Sequence, residues 1–167
     1  MKEIDLKNKI KSGIEKIIVN VGVGKMNTTQ SNFEEKILPQ IIKDLSLITG
    51  QYPQITRAKK SIAGFKLRQG QIVGLKITLR NNKMVDFFNR LVKIVLPRVR
   101  DFSGVPKSKI DNHGSLNLGL KEQYAFPEIN PEESIIVFPL GINIVSKFKD
   151  KKVAEEFYNS LGFPFKK

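Results

Sequence analysis

The chain contains no cysteine and a single histidine. Without cysteine there is no disulfide framework, no thiolate metal site and no thiol nucleophile. One histidine, His113, with no cysteine beside it tells against a transition-metal centre. No apolar run approaches the ~20 residues that a membrane-spanning helix needs. The opening MKEIDLKNKIKSG alternates acid and base. It lacks the apolar region of a secretion signal and is unlike an Arg-rich, acid-poor transit peptide. A cytosolic protein is expected.

A local absence says more. Between Asp44 and Asp86 there is no Asp or Glu, yet the stretch carries eight bases: Arg57, Lys59, Lys60, Lys66, Arg68, Lys76, Arg80 and Lys83. Over 167 residues, 29 Lys plus Arg against 16 Asp plus Glu give a net charge of +13. A merely solvated surface mixes signs, so the belt implies a polyanionic partner. Nucleic acid is the first candidate and an anionic membrane surface its rival. Each phosphate neutralised releases condensed counterion, which predicts steep salt dependence. The hydrophobic fraction of 40% is too high for a disordered basic tail, and the length suits one domain with a real core.

There is no internal repeat and no low-complexity stretch. Ile4, Leu6 and Ile10 predict a short amphipathic helix ended by Ser12-Gly13. IEKIIVNVG predicts a strand with Ile17, Val19 and Val21 on one face and Lys16, Ile18 and Asn20 on the other. Ser31 and Glu34 have capping-box spacing before a helical pattern from Phe33 to Ile48, where Pro39 should force a kink or two shorter helices. Pro53 to Ala58 reads as a short strand. GLKITLR reads as a clear one, with Lys76, Thr78 and Arg80 facing away from Leu75, Ile77 and Leu79. Asn81-Asn82 should cap a helix through Met84, Phe88 and Val95, ended by Pro97. SLNLGLK and a segment around Gly141 to Val145 are further strands, and Asp150 should cap a last helix through Val153, Phe157 and Leu161. Clean alternation means half-buried strands, hence an α+β fold: a single domain with an antiparallel sheet, helices packed on one face and the other face free.

Catalytic motifs do not assemble. GVGK at Gly22 to Lys25 lacks the spacing of a Walker loop and has Met26 in place of the hydroxyl residue, so it reads as a strand-to-helix turn. A nucleotide-acting enzyme built on it is the second reading, and a membrane-surface protein the third. His113, Asp111 and Ser115 share one polar turn rather than standing on separate elements as a triad does. Phe65, inside the basic loop, could stack on a base or anchor the loop. Lys76, Thr78 and Arg80, with Asn20 and Lys16, could present hydrogen-bonding groups to phosphates, 2′-hydroxyls and base edges.

The blocks LITGQYPQITRAKKSIAGFKLRQGQIVGLKITLR, FFNRLVKIVLPRVRDFSG, GSLNLGLKEQYAFPEI and LGFPFKK, in that order, resemble the bacterial-type large-subunit ribosomal protein of the L-five family. The resemblance covers Ile14 to Lys167 as the family core, with residues 1–13 as a short N-terminal segment where the family carries a longer arm. It implies a structural protein, with no cofactor or metal, that supports translation by binding 5S rRNA in the central protuberance of the cytoplasmic ribosome. It assigns Asn20, Gln51, Thr56, Lys59, Lys60, Ser61, Lys76, Thr78 and Arg80 to 5S rRNA. Lys16, on the strand face, and Arg57, in the basic belt, are counted with them. The loop Gly64 to Gln71 is implied to approach the elbow of the P-site tRNA, with Lys66, Arg68 and Gln69 as contacts and Phe65 beside them. Neighbouring large-subunit rRNA and proteins are further implied partners. So is a small-subunit head protein at an inter-subunit bridge, through the loop Arg100 to Gly114 and the acidic turn after it. The block NHGSLNLG lacks an arginine and a tyrosine that the family carries there.

Overall fold

A computed structural model describes residues 3–134 and 136–166. The helix α1 (Glu3–Gly13) runs into strand β1 (Ile14–Gly22), which is followed by the short helix α2 (Gly24–Thr29) and by α3 (Leu38–Thr49). Strands β2 (Gln54–Arg57) and β3 (Ile72–Leu79) lead to helices α4 (Asn81–Arg90) and α5 (Leu96–Arg98). Strands β4 (Leu116–Leu120) and β5 (Leu140–Ser146) precede the closing helix α6 (Lys151–Ser160). The five strands form one antiparallel sheet in the order β2-β3-β1-β5-β4, and with its helices this is the expected α+β architecture. No helix among the described residues is long and apolar enough to cross a membrane.

Chain contacts divide the fold into two compact units. One comprises the described parts of Met1–Ile18, Thr78–Leu120 and Gly141–Lys167; the other comprises Val19–Ile77 and Lys121–Leu140. In the first, Ile10, Ile17, Leu79, Phe87, Phe88, Leu116, Ile144 and Tyr158 are fully or almost fully buried. Tyr158 packs on Phe157 and Phe163 with ring centroids 5.7 and 6.1 Å away. Its phenol donates towards the carbonyls of Gly114 and Ile144, each at 3.2 Å. Burial pushes this phenol well above its usual range, so it stays protonated and remains a donor. Asp150 caps α6 as expected, accepting from the N–H groups of Lys152 and Val153 at 2.8 and 3.2 Å.

The second unit is held by a buried polar network. The Asp44 carboxylate on α3 accepts from Gln40 Nε2 at 2.9 Å and from Ser134 Oγ at 2.7 Å. Gln123, fully buried, donates to the Ser134 hydroxyl and to the Ile136 carbonyl and accepts from the Phe138 N–H. A buried carboxylate is tolerable only with such donors. Ser134→Ala is therefore expected to cost about 2 kcal/mol, read as a shift in the urea midpoint with unchanged slope.

Four local expectations need correction. The capping box is not made, because Ser31 lies in a turn and Asn32 stands at the cap without a side-chain bond. Asn81 and Asn82 begin α4 but do not cap it: Arg80 is the N-cap, Asn81 adopts φ +52°, and Asn82 Oδ1 accepts from Lys11 Nζ at 2.7 Å. Asn is among the few residues that tolerate that backbone. Pro97 does not end its helix. A five-residue π turn, Leu91–Val95, precedes it and the chain stays helical to Arg98. The same device recurs where a kink or two shorter helices is expected: the π turn Phe33–Ile37 runs without a gap into α3, with Pro39 in its first turn, so the disruption is a change of helix type rather than a break. In both places the ring sits where its missing N–H costs least. Finally, Leu161 is buried and Phe157 half-buried as expected, but Val153 is exposed and α6 buries Ala154 and Tyr158 instead.

Candidate nucleic-acid interface

Strand β3 alternates as its sequence predicts: Leu75, Ile77 and Leu79 are buried, Lys76 and Arg80 exposed, and Thr78 half-exposed. On β1, Val19 and Val21 are buried, Asn20 is exposed and Lys16 half-exposed. In the Val19–Ile77 unit the antiparallel register sets Gln54 opposite Lys76 and Thr56 opposite Gly74, with a bulge between Thr56 and Arg57. Gln54 thus joins Thr56 and Lys76 on one polar strip, a contribution its place two residues before Thr56 could have signalled. Gly74 is closely fitted there. A Cβ would lie 3.0 Å from both the Thr56 hydroxyl and the Val21 carbonyl. Gln51 stands in the turn after α3, where its backbone N–H and carbonyl both meet the Thr49 hydroxyl.

The segment from Ala58 to Gln71 is a built hairpin extension. Backbone bonds between Ala58 and Gln71 and between Gly70 and Ala58 close its neck, and a reciprocal pair joins Ile62 and Leu67. Side chains finish it. Arg57 Nη1 donates to the Gly70 carbonyl at 3.0 Å, and the Gln69 N–H donates to Ser61 Oγ at 2.9 Å. Arg57 and Ser61, both expected to touch RNA, also shape the loop that presents Lys59, Lys60, Lys66, Arg68 and Gln69 to solvent. Lys66 takes φ +51° at the tip. Phe65 beside it is 76% exposed, so it does not anchor the loop.

The sequence reading missed one acid. In the other unit Glu15 lies between two expected RNA contacts, its Oε1 at 3.0 Å from Lys16 Nζ and 3.7 Å from Arg80 Nη1. The hydrogen bond and charge of Lys16, helped by Arg80, hold its carboxyl below the ordinary carboxylate value. Glu15 is therefore ionised at neutral pH. Its contribution to stability is present above the ordinary value and is lost as pH falls through the lowered one. It also opposes phosphate. Glu15→Gln is expected to tighten binding to a generic RNA duplex a few-fold at low salt, and less at high salt, in a filter-binding titration.

Elsewhere, the Asp111 carboxylate accepts from the backbone N–H groups of His113 and Ser115, each at 2.9 Å, which makes a polar turn of that cluster. GVGK passes directly from β1 into the six-residue α2.

Two family models match the chain: one described as ribosomal protein L5 over residues 11–68, the other as the C-terminus of the same ribosomal family over residues 72–165. The chain belongs to the ribosomal L5 family. It is 45% identical over 168 residues to the large ribosomal subunit protein uL5 of Fusobacterium nucleatum, spanning 100% of this chain and 89% of that one. The uL5 proteins of Syntrophomonas wolfei and Acholeplasma laidlawii are 44% and 46% identical, over 92% of this chain and 83% of each relative. L5-family proteins are structural and not enzymes, which removes the nucleotide-acting reading of GVGK.

Proposed function

We propose that this L5-family chain binds 5S rRNA in the central protuberance, contacts the elbow of the P-site tRNA, and helps form an inter-subunit bridge. Family membership makes it a structural constituent of the large ribosomal subunit, working in the bacterial cytoplasm. The observation that carries this reading is the pairing of a hydrogen-bonded, acid-free hairpin with a polar strip at its root, both in one unit. The strip offers Gln54, Thr56 and Lys76, with Asn20 and Gln51 in the same unit. In the other unit Lys16, Thr78 and Arg80 supply charge and a hydroxyl. Strand faces of this composition can meet phosphates and 2′-hydroxyls without relying on base identity.

The tip, with Phe65, Lys66, Arg68 and Gln69, combines an exposed ring with cations, the combination that suits an RNA backbone carrying unstacked bases. For the bridge, the loop Arg100 to Gly114 offers exposed Arg100, Lys107 and Lys109, though Lys107 is paired to Glu155 at 2.6 Å. A hydroxyl-radical footprint of 5S rRNA with and without the chain tests the main claim. Protection of one continuous region, lost with Lys76→Glu, is expected; a uniform pattern would reject it.

A further inference from the structure

The basic hairpin does not stand alone in its unit. A groove of about 380 Å³ lies between it and α2, lined by Asn27, Thr28, Lys66, Arg68, Gln69 and Gln71. All six lining residues are polar, two are cations and none is an acid. The neighbouring depression, of about 540 Å³, shares Asn27 and Thr28 but includes Glu34 and Glu35. Of the two hollows, only the first suits an anion.

The α2 wall is fixed to the root of the hairpin. The Val23 N–H donates to the Val73 carbonyl at 3.0 Å, and Asn27 Nδ2 donates to the Ile72 carbonyl at 2.9 Å. The loop wall is equally defined, because Gln71 Oε1 accepts from the Arg68 N–H at 3.1 Å. With that oxygen occupied, Gln71 offers its amide nitrogen as a donor. Lys66, Arg68 and Gln71 thus provide donors for a phosphate. Thr28 has the opposite character. Its hydroxyl proton goes to the Lys25 carbonyl at 2.9 Å, which leaves oxygen lone pairs to accept from a ligand. Donors on one wall and an acceptor on the other match a phosphate and the 2′-hydroxyl of an adjacent ribose.

We infer that this groove seats the ribose–phosphate backbone of an RNA strand, with α2 as its second wall. The inference rests on the reading that the hairpin touches RNA, and it adds Asn27 and Thr28 to the contact.

Two adjacent threonines make a matched test. Thr28 and Thr29 are both exposed and both donate to the Lys25 carbonyl at 2.9 Å, but Thr29 does not line the groove. Thr28→Glu should weaken binding of the full chain to a transfer RNA roughly tenfold at low salt. Thr29→Glu should leave it nearly unchanged. Thr28→Lys should tighten binding, which keeps the test decisive if the glutamate variant folds poorly. Arg68→Gln, measured alongside, separates the two levels of the claim. If Arg68→Gln weakens binding while the Thr28 and Thr29 variants behave alike, the groove is not a site and the loop contact stands. If Arg68→Gln has no effect either, the loop reading itself fails.

Discussion

Replacing Gly114 with alanine is expected to remove about 4 kcal/mol of stability, lowering the melting temperature by roughly 10 °C for a chain of this size. Two costs combine. Gly114 has φ +74°, a left-handed backbone that costs an ordinary L-residue about 1–2 kcal/mol. In addition, a Cβ there would stand 2.5 Å from the Phe148 carbonyl oxygen and 2.9 Å from the Ala154 methyl. The backbone carbonyl cannot swing aside as a side-chain end would, so the Gly114 peptide must move. Its own carbonyl accepts from the buried Tyr158 phenol, and displacing it disturbs a donor that has no water to turn to. Gly162 isolates the first cost. It has nearly the same φ, +75°, and a Cβ added there would meet nothing within 4 Å. Gly162→Ala should cost only about 1 kcal/mol, the conformational part alone. Denaturant melts of the two variants measure the difference directly.

The largest effect on binding is expected from Lys76→Glu. Lys76 is exposed on β3, opposite Gln54 and diagonal to Thr56, so a change of charge there breaks no packing. If Lys76 meets a phosphate as proposed, the change removes one contact and adds one repulsion, and should weaken 5S rRNA binding between roughly ten- and a hundredfold near physiological salt. The slope of log K against log salt should shrink by about one contact. Lys36→Glu carries the same change in net charge from an exposed position on the π turn before α3. It should have little effect. Equal losses for the two would mean that net charge, not the strand face, drives association.

Much of this was legible locally. The alternation in β1 and β3 announced both strands and their faces, since a period of two needs no tertiary knowledge. Asp150 announced the start of α6 because a cap is a contact within three residues. What local pattern could not supply was anything joined across the chain. Glu15 lies outside the acid-free stretch in sequence, yet the sheet order brings β1 beside β3 and so sets Glu15 against Arg80. The belt is acid-free along the chain but not in space. Asp44 looked like no more than the edge of that belt, because its partner Ser134 is 90 residues away. Pro97 misled in a different way. Propensity places a break at Pro97, whereas a π turn lets the helix pass through it. The cation positions needed for an interface were thus readable. Their partners, and the hydrogen bonds that make the hairpin a defined platform, were not.

Selective binding of 5S rRNA through a charged polar sheet face and hairpin is tested most directly by competition. A generic RNA duplex of similar length competes with 5S rRNA for the full chain, in titrations from low to high salt. Affinity for both should fall steeply as salt rises, with 5S rRNA preferred throughout. Equal affinity for the two RNAs at every salt concentration would contradict selective binding.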